Sequence, residues 1–272
     1  MKRDKTFILF GLDKGEHSPR GIFCLLVLFL GALFIAAVLS GPIYLLLSNM
    51  DSSVAQRMAR RGICKIYDRI MLVTALISLP FFFKKCGLKK LSEIGCNFRN
   101  SKLILRWIGI GLLFATMVAG IEALINGTNV TCNPETLCLF VRKFPKFVLS
   151  SIVVGIFEEI LFRGAILRAF YTACNPALAI IASSMFFAYV HIKIPLAAKV
   201  NGENIGILSG FRCIIPMLFG FLYEFKIFQF AKLTLFGIML SMIALKNRSL
   251  NQAMGFHSGT VLMLFIASVF IR

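Results

Sequence analysis

The sequence predicts an all-α fold: a polytopic membrane helical bundle of about eight transmembrane helices. Three observations carry that expectation. Of 272 residues, 58% are hydrophobic and 15% are charged, against about 45–50% and about 25% in soluble globular domains. Mean hydropathy is +0.83. Phe occurs 28 times against one Trp and five Tyr, a usage that suits packing against lipid. Together these exclude a disordered chain, a disulfide-rich secreted module and an ordinary cytosolic enzyme. They place the chain in a membrane as a multi-pass integral protein, the cell membrane in a prokaryote.

The segments follow in order. Residues 1–20 are polar and basic, with Lys2, Arg3, Lys5, Lys14 and Arg20. The apolar run from Gly21 to about Leu47 is longer than a signal-peptide core of about 7–15 residues and lacks a small-residue cleavage site, so it reads as a retained first span. A basic loop with Arg57, Arg60, Arg61, Lys65 and Arg69 leads to a second span over about Ile70–Phe83. The stretch from Lys84 to Arg106 holds seven Lys/Arg, and its Gly87, Leu88, Leu91 and Ile94 suggest a short interfacial helix. The third span is about Trp107–Ile125.

A polar loop, Asn126–Pro145, carries two glycosylation-type triplets, at Asn126 and Asn129. The fourth span is about Lys146–Tyr171, and Asn175 with Pro176 breaks the chain before the fifth, Pro176–His191. Residues 192–212 are polar. The sixth, seventh and eighth spans are about Cys213–Tyr223, Phe228–Leu245 and Leu250–Ile271. Each crossing needs about 20 apolar residues. Residues 1–145 thus form N-terminal transmembrane helices and basic loops, and residues 146–272 a helical core.

Net charge is +18. In a soluble protein that would point to nucleic acid, but no basic stretch is interleaved with stacking aromatics as single-strand binders need. The charge belongs to loops that face anionic headgroups, so the partner is the lipid bilayer and no nucleic acid is expected. With eight spans and an inside N-terminus, the positive-inside rule discriminates weakly. Eight Cys form no CxxC pair, which argues against a zinc knuckle or redox motif. Cys132 and Cys138 share one loop, where a disulfide and two free thiols are equally compatible.

Charges inside spans cost several kcal/mol each and mark functional interiors. The fourth span holds Glu158, Glu159 and Arg163. Glu159 and Arg163 are four apart and share a face, so they can pair. Glu158 lies about 100° round the helix, away from that pair, and is left for chemistry as a general base. Of three His, His17 is in the polar N-terminal segment, His191 closes the fifth span four residues after Phe187, and His257 sits between Gly255 and Gly259 in the eighth. Those glycines admit a neighbouring helix or a substrate strand. Spans four and eight are expected to start on the same side. Glu158 then lies roughly 18 Å and His257 roughly 10 Å from that surface, with His191 near it. Glu122 and Glu224 read as interfacial acids.

Glu158, Glu159 and Arg163, then Phe187 with His191, then His257 in a terminal helix resemble the CPBP family, the type II CAAX prenyl proteases and bacteriocin-processing or immunity (Abi) membrane proteases. The resemblance covers the 146–272 core. It implies an intramembrane endopeptidase that hydrolyses peptide bonds of membrane-associated proteins or peptides. In it Glu158 activates water, His191 and His257 flank the water and the carbonyl oxygen, and Glu159 and Arg163 brace the site. Glu158, His191 and His257 also match a catalytic zinc ligand set, and a metal-free glutamate mechanism suits them equally. The family often has Asn four residues after the last His. Here that position is Val261, which cannot donate; Thr260, Ser258 or Asn251 are the candidates to stand in.

Two other classes compete. A catalytically silent membrane scaffold or bacteriocin-immunity protein that binds a partner is favoured by Val261 and opposed by intact Glu158, His191 and His257. A proton-coupled carrier would need repeated halves with matching charged sites, and the charged motif occurs once.

Overall fold

The computed structural model describes residues 20–85, 95–96, 101–128, 130–192, 204–223, 226–247 and 249–271. Among them the fold is all-helical, with one isolated antiparallel bridge between Val130 and Ile271. The helices are α1 (Arg20–Ser48), α2 (Ser53–Ala59), α3 (Ile63–Lys85), α4 (Ser101–Asn126), α5 (Pro134–Glu159), a π-helical turn (Ile160–Ile166), α6 (Leu167–Ala173), α7 (Pro176–His191), a 3-10 segment (Ile207–Cys213), α8 (Ile214–Tyr223), α9 (Ile227–Asn247) and α10 (Leu250–Phe270). The expected interfacial helix at Gly87 and Leu88, together with His17 and Glu224, lies outside the described residues.

Among the described residues, five helices are long and apolar enough to cross a bilayer: Gly21–Ser48, Ile63–Lys84, Ser101–Asn126, Ile227–Asn247 and Leu250–Phe270. The protein is therefore a multi-pass integral membrane protein. Large apolar side chains such as Phe23, Leu124, Leu149 and Phe228 stand exposed on the helix surfaces, which is the solvation an apolar bilayer provides. The expected fifth and sixth spans correspond to shorter apolar helices, Pro176–His191 and Ile207–Gly220.

Capping explains several boundaries. The expected polar loop ends early, because α5 starts at Pro134 and not near Lys146. Asn133 caps it: the Thr136 amide donates to Asn133 Oδ1 at 2.8 Å, and the Asn133 amide donates to Thr136 Oγ1 at 3.0 Å. Pro134 occupies the first turn, where its missing N–H costs nothing. Asn175 and Pro176 repeat the device at α7, with the Leu178 amide on Asn175 Oδ1 at 2.9 Å. Gly127 ends α4 at φ +60°, and the Thr128 amide reaches back to Ala123 O at 3.0 Å; only glycine adopts that left-handed cap without strain.

The chain forms two compact units that interleave along the sequence. Among the described residues, the first comprises those within 88–168 and 238–272, and the second those within 17–87 and 169–237.

In the first unit α10 packs on α4 and α5. Side chains added at Gly255 or Gly259 would run into the carbonyls of Ile104 or Ile108, and one added at Gly111 into that of Phe256. The two helices thus meet backbone to backbone and run parallel. Of the two readings open for the glycines around His257, the neighbouring helix holds. Against α5, Phe147 stacks on Phe265 and Phe140 on Phe270, while Gly155 abuts Ser258. Rising numbers meet falling ones, so α5 and α10 run antiparallel. The expectation that they start on the same side is corrected. In a membrane an even number of crossings must join them, where the sequence predicts three.

In the second unit, small residues on α1 (Ala32, Ala36 and Ala37) pack with Ile63, Cys64, Tyr67 and Met71 of α3 and with Cys213. The Tyr67 hydroxyl donates to Leu33 O at 2.9 Å. Gly210 lies against Ala37 O, and Gly41 against the Ile207 carbonyl, so the 3-10 segment lies directly on α1. Helix α7 packs on α9 through Phe187 and Phe236 and through Ser184 at Gly237.

Candidate active site

Glu158 and Glu159 are the last two residues of α5. The π-helical turn starts immediately after them and contains Arg163. Its extra residue per turn is closed by the Leu167 amide on Phe162 O. Such bulges recur at functional sites because they re-aim side chains within a continuous helix.

The expected pair is present. Arg163 Nη1 donates to Glu159 Oε1 at 2.8 Å, with both side chains buried. The same oxygen accepts a second bond, from Nδ1 of buried His257 at 2.8 Å. A carboxylate only accepts, so this bond puts a proton on Nδ1 and turns Nε2 the other way. His257 Nε2 lies 3.8 Å from Glu158 Oε2, an ion-pair distance too long for a direct hydrogen bond. Glu158 keeps 24% of its side-chain surface while Glu159 keeps none. The two adjacent carboxylates thus differ: Glu159 is fully buried and Glu158 partly exposed, although Glu158 Oε2 itself is buried. Glu159 Oε2 has no hydrogen-bond partner among the described residues. His257 links Glu158 to the Glu159–Arg163 pair, two groups that the sequence expects to lie on different faces.

The closeness of these groups follows from the helix directions. His257 lies early in α10 and Glu158 at the end of α5, so antiparallel packing brings them level. Gly155, one turn before Glu159, permits this, since a Cβ there would overlap Ser258.

His191 belongs to the second unit and ends α7. Its Nδ1 lies 2.8 Å from Phe187 O; the carbonyl accepts, so in the neutral ring the lone pair falls on Nε2. The ring also packs on Phe187, with centroids 4.2 Å apart. Both histidines therefore use Nδ1 as the anchored nitrogen.

Of the candidates to replace the missing Asn, Thr260 is committed elsewhere: its hydroxyl donates to Phe256 O at 3.0 Å. Ser258 and Asn251 are buried. Sequence reasoning did not single out Arg168, buried five residues beyond Arg163, because it sits where a span was expected to end. Among the described residues no group of three or more His, Cys, Asp or Glu is arranged to hold a metal. Among the described residues of the first unit, Glu158 Oε2 and His257 Nε2, 3.8 Å apart, are the ligand atoms on offer.

Residues 140–263 match the family described as type II CAAX prenyl endopeptidase, Rce1-like. The match spans Glu158, Glu159, Arg163, His191 and His257, and it bears out the resemblance to the CPBP proteases. No curated protein and no solved structure matches the chain.

Proposed function

We propose that the chain is an intramembrane peptidase of the CAAX type, with Glu158 as its base. The observation that carries this reading is the buried Glu159–His257 bond, which turns His257 Nε2 toward the partly exposed Glu158. The family match supports the reaction class.

The charges support a defined resting state. Glu159 and Arg163 cancel. His257 Nε2 stands 3.8 Å from Glu158 Oε2, so protonation of His257 would balance an ionised Glu158, and a neutral set is the form a low-dielectric interior tolerates. From that state Glu158 takes a proton from water, and the hydroxide attacks the scissile carbonyl. Once protonated, His257 holds an Nε2 proton on the Glu158 side of the site, available to the oxyanion formed there, which is where a fixed donor contributes most. Protonated Glu158 then passes its proton to the leaving amine, completing addition of one water across the bond. His191 is assigned as a second donor on the family pattern alone. No step is routed through a metal. The substrate is a peptide or membrane protein, with CAAX-type tails as the first class to test.

The test uses purified wild type and Glu158→Gln in liposomes, offered prenylated CAAX-tail peptides and their unmodified counterparts. Wild type is expected to cleave, and Glu158→Gln to lose about 10²–10⁴-fold, the range of general-base catalysis. Cleavage is expected to persist with a chelator; loss with chelator and return with zinc would assign the metallo form. Equal cleavage by both proteins would sink the role of Glu158. A silent membrane scaffold is the second reading, favoured by Val261 together with the commitment of Thr260 to its own helix. Silence of both folded proteins toward every peptide supports it.

A further inference from the structure

The second unit holds a chemistry that the peptidase reading does not use. Cys64 is the second residue of α3, and Cys213 is the last of the 3-10 segment. Both are buried, with their sulfurs 3.0 Å apart across 149 residues of chain. Neither position is free to drift. The 3-10 segment is seated on α1 by two backbone contacts, Gly210 at Ala37 O and Gly41 at the Ile207 carbonyl. The start of α3 is held to the same helix by Tyr67 on Leu33 O. The two thiols are thus presented to each other by a frame that α1 sets for both.

We propose that Cys64 and Cys213 form a disulfide that fastens the 3-10 segment to α3. A disulfide needs a sulfur separation of about 2.05 Å, so closure asks for roughly 1 Å of movement by two side chains already in contact. The oxidant is a disulfide of the small-molecule or protein class. One cysteine, as thiolate, attacks a sulfur of the donor disulfide. A protein–donor mixed disulfide forms and one donor thiolate leaves. The second cysteine then attacks the protein sulfur of that mixed disulfide, the Cys64–Cys213 bond forms, and the second donor thiolate leaves. Two electrons pass to the donor, and the two thiol protons go with its two thiolates. Because both sulfurs are shielded, the bond closes as the core assembles or opens locally, and once formed it resists reduction. The exposed Cys132 and Cys138 serve as internal references for reagent access.

The test uses the full chain in lipid vesicles, treated with glutathione disulfide or with a reducing dithiol. One further sample is synthesised into vesicles with glutathione disulfide present. Each is denatured under an excess of light alkylating reagent, then reduced, labelled with heavy reagent and digested. The expected result is that the Cys64 and Cys213 peptides become heavy together in an oxidised sample, with a linked 64–213 peptide before reduction. Cys213→Ser should abolish the linked peptide, and oxidised wild type should melt higher than reduced while oxidised Cys64→Ser does not. Light label on both cysteines in every sample, the one made under oxidant included, overturns the proposal. So does a linked peptide that pairs either residue with another cysteine. Because the readout is a mass, it stands or falls independently of peptidase activity.

Discussion

Both compact units bring backbones together through glycine, yet they fill the seams differently. Where α10 meets α4 and α5, glycines at 111, 155, 255 and 259 close the gap, and the space beside them holds Glu158, Glu159, Arg163 and His257. Where the 3-10 segment meets α1, Gly41 and Gly210 close the gap, and the space holds alanines, Ile63, Met71 and two thiols. Close backbone approach is thus a general packing device here, and the seam's contents decide its sensitivity. The charged seam works only as a set, because any member left alone is a buried, unbalanced charge. The apolar seam is a matter of volume.

The largest difference should appear at Glu159. Glu159→Leu removes the buried carboxylate that both Arg163 and His257 bond and is expected to cost about 3–5 kcal/mol in reversible unfolding from lipid or detergent. Adding Arg163→Met should recover part of that loss, so that the double variant is more stable than the single. A double variant that is worse would mean that the seam is held by size and not by charge. Next come the glycines themselves. Gly259→Ala and Gly210→Ala each push a methyl against a rigid carbonyl and should cost about 1–3 kcal/mol. The first should alter the emission of Trp107, the chain's one Trp, which packs on Phe256, and the second should leave it unchanged. The smallest effect is expected at Met71, a conservative exchange in the apolar seam. Met71→Leu should cost under about 1.5 kcal/mol and leave peptide cleavage as it was. A drop in cleavage there would tie the two seams together functionally.

Sequence reasoning reached the Glu159–Arg163 pair because four-residue spacing is a local property of a helix. It reached His257 as a candidate because an ionisable group between glycines in an apolar run is conspicuous. It did not reach the bond between His257 and Glu159, which depends on how α5 and α10 face each other. That direction was misjudged by counting spans, since short apolar helices such as Pro176–His191 count as crossings on composition alone. The start of α5 was missed for a similar reason. Arg142, Lys143, Pro145 and Lys146 look like a loop, whereas the Asn133 cap and Pro134 begin a helix well before them. The π-helical turn leaves no mark on periodicity over seven residues.

The backbone bond from the Thr131 amide to Phe270 O at 2.8 Å ties the segment after α4 to the far end of α10. Cys132, exposed beside that bond, therefore marks the membrane face opposite the one where α10 begins. His257 lies roughly 10 Å along α10 from its start and roughly 20 Å from its end. A membrane-impermeant thiol reagent that reaches Cys132 from one compartment thereby names the other compartment as the one nearer to Glu158.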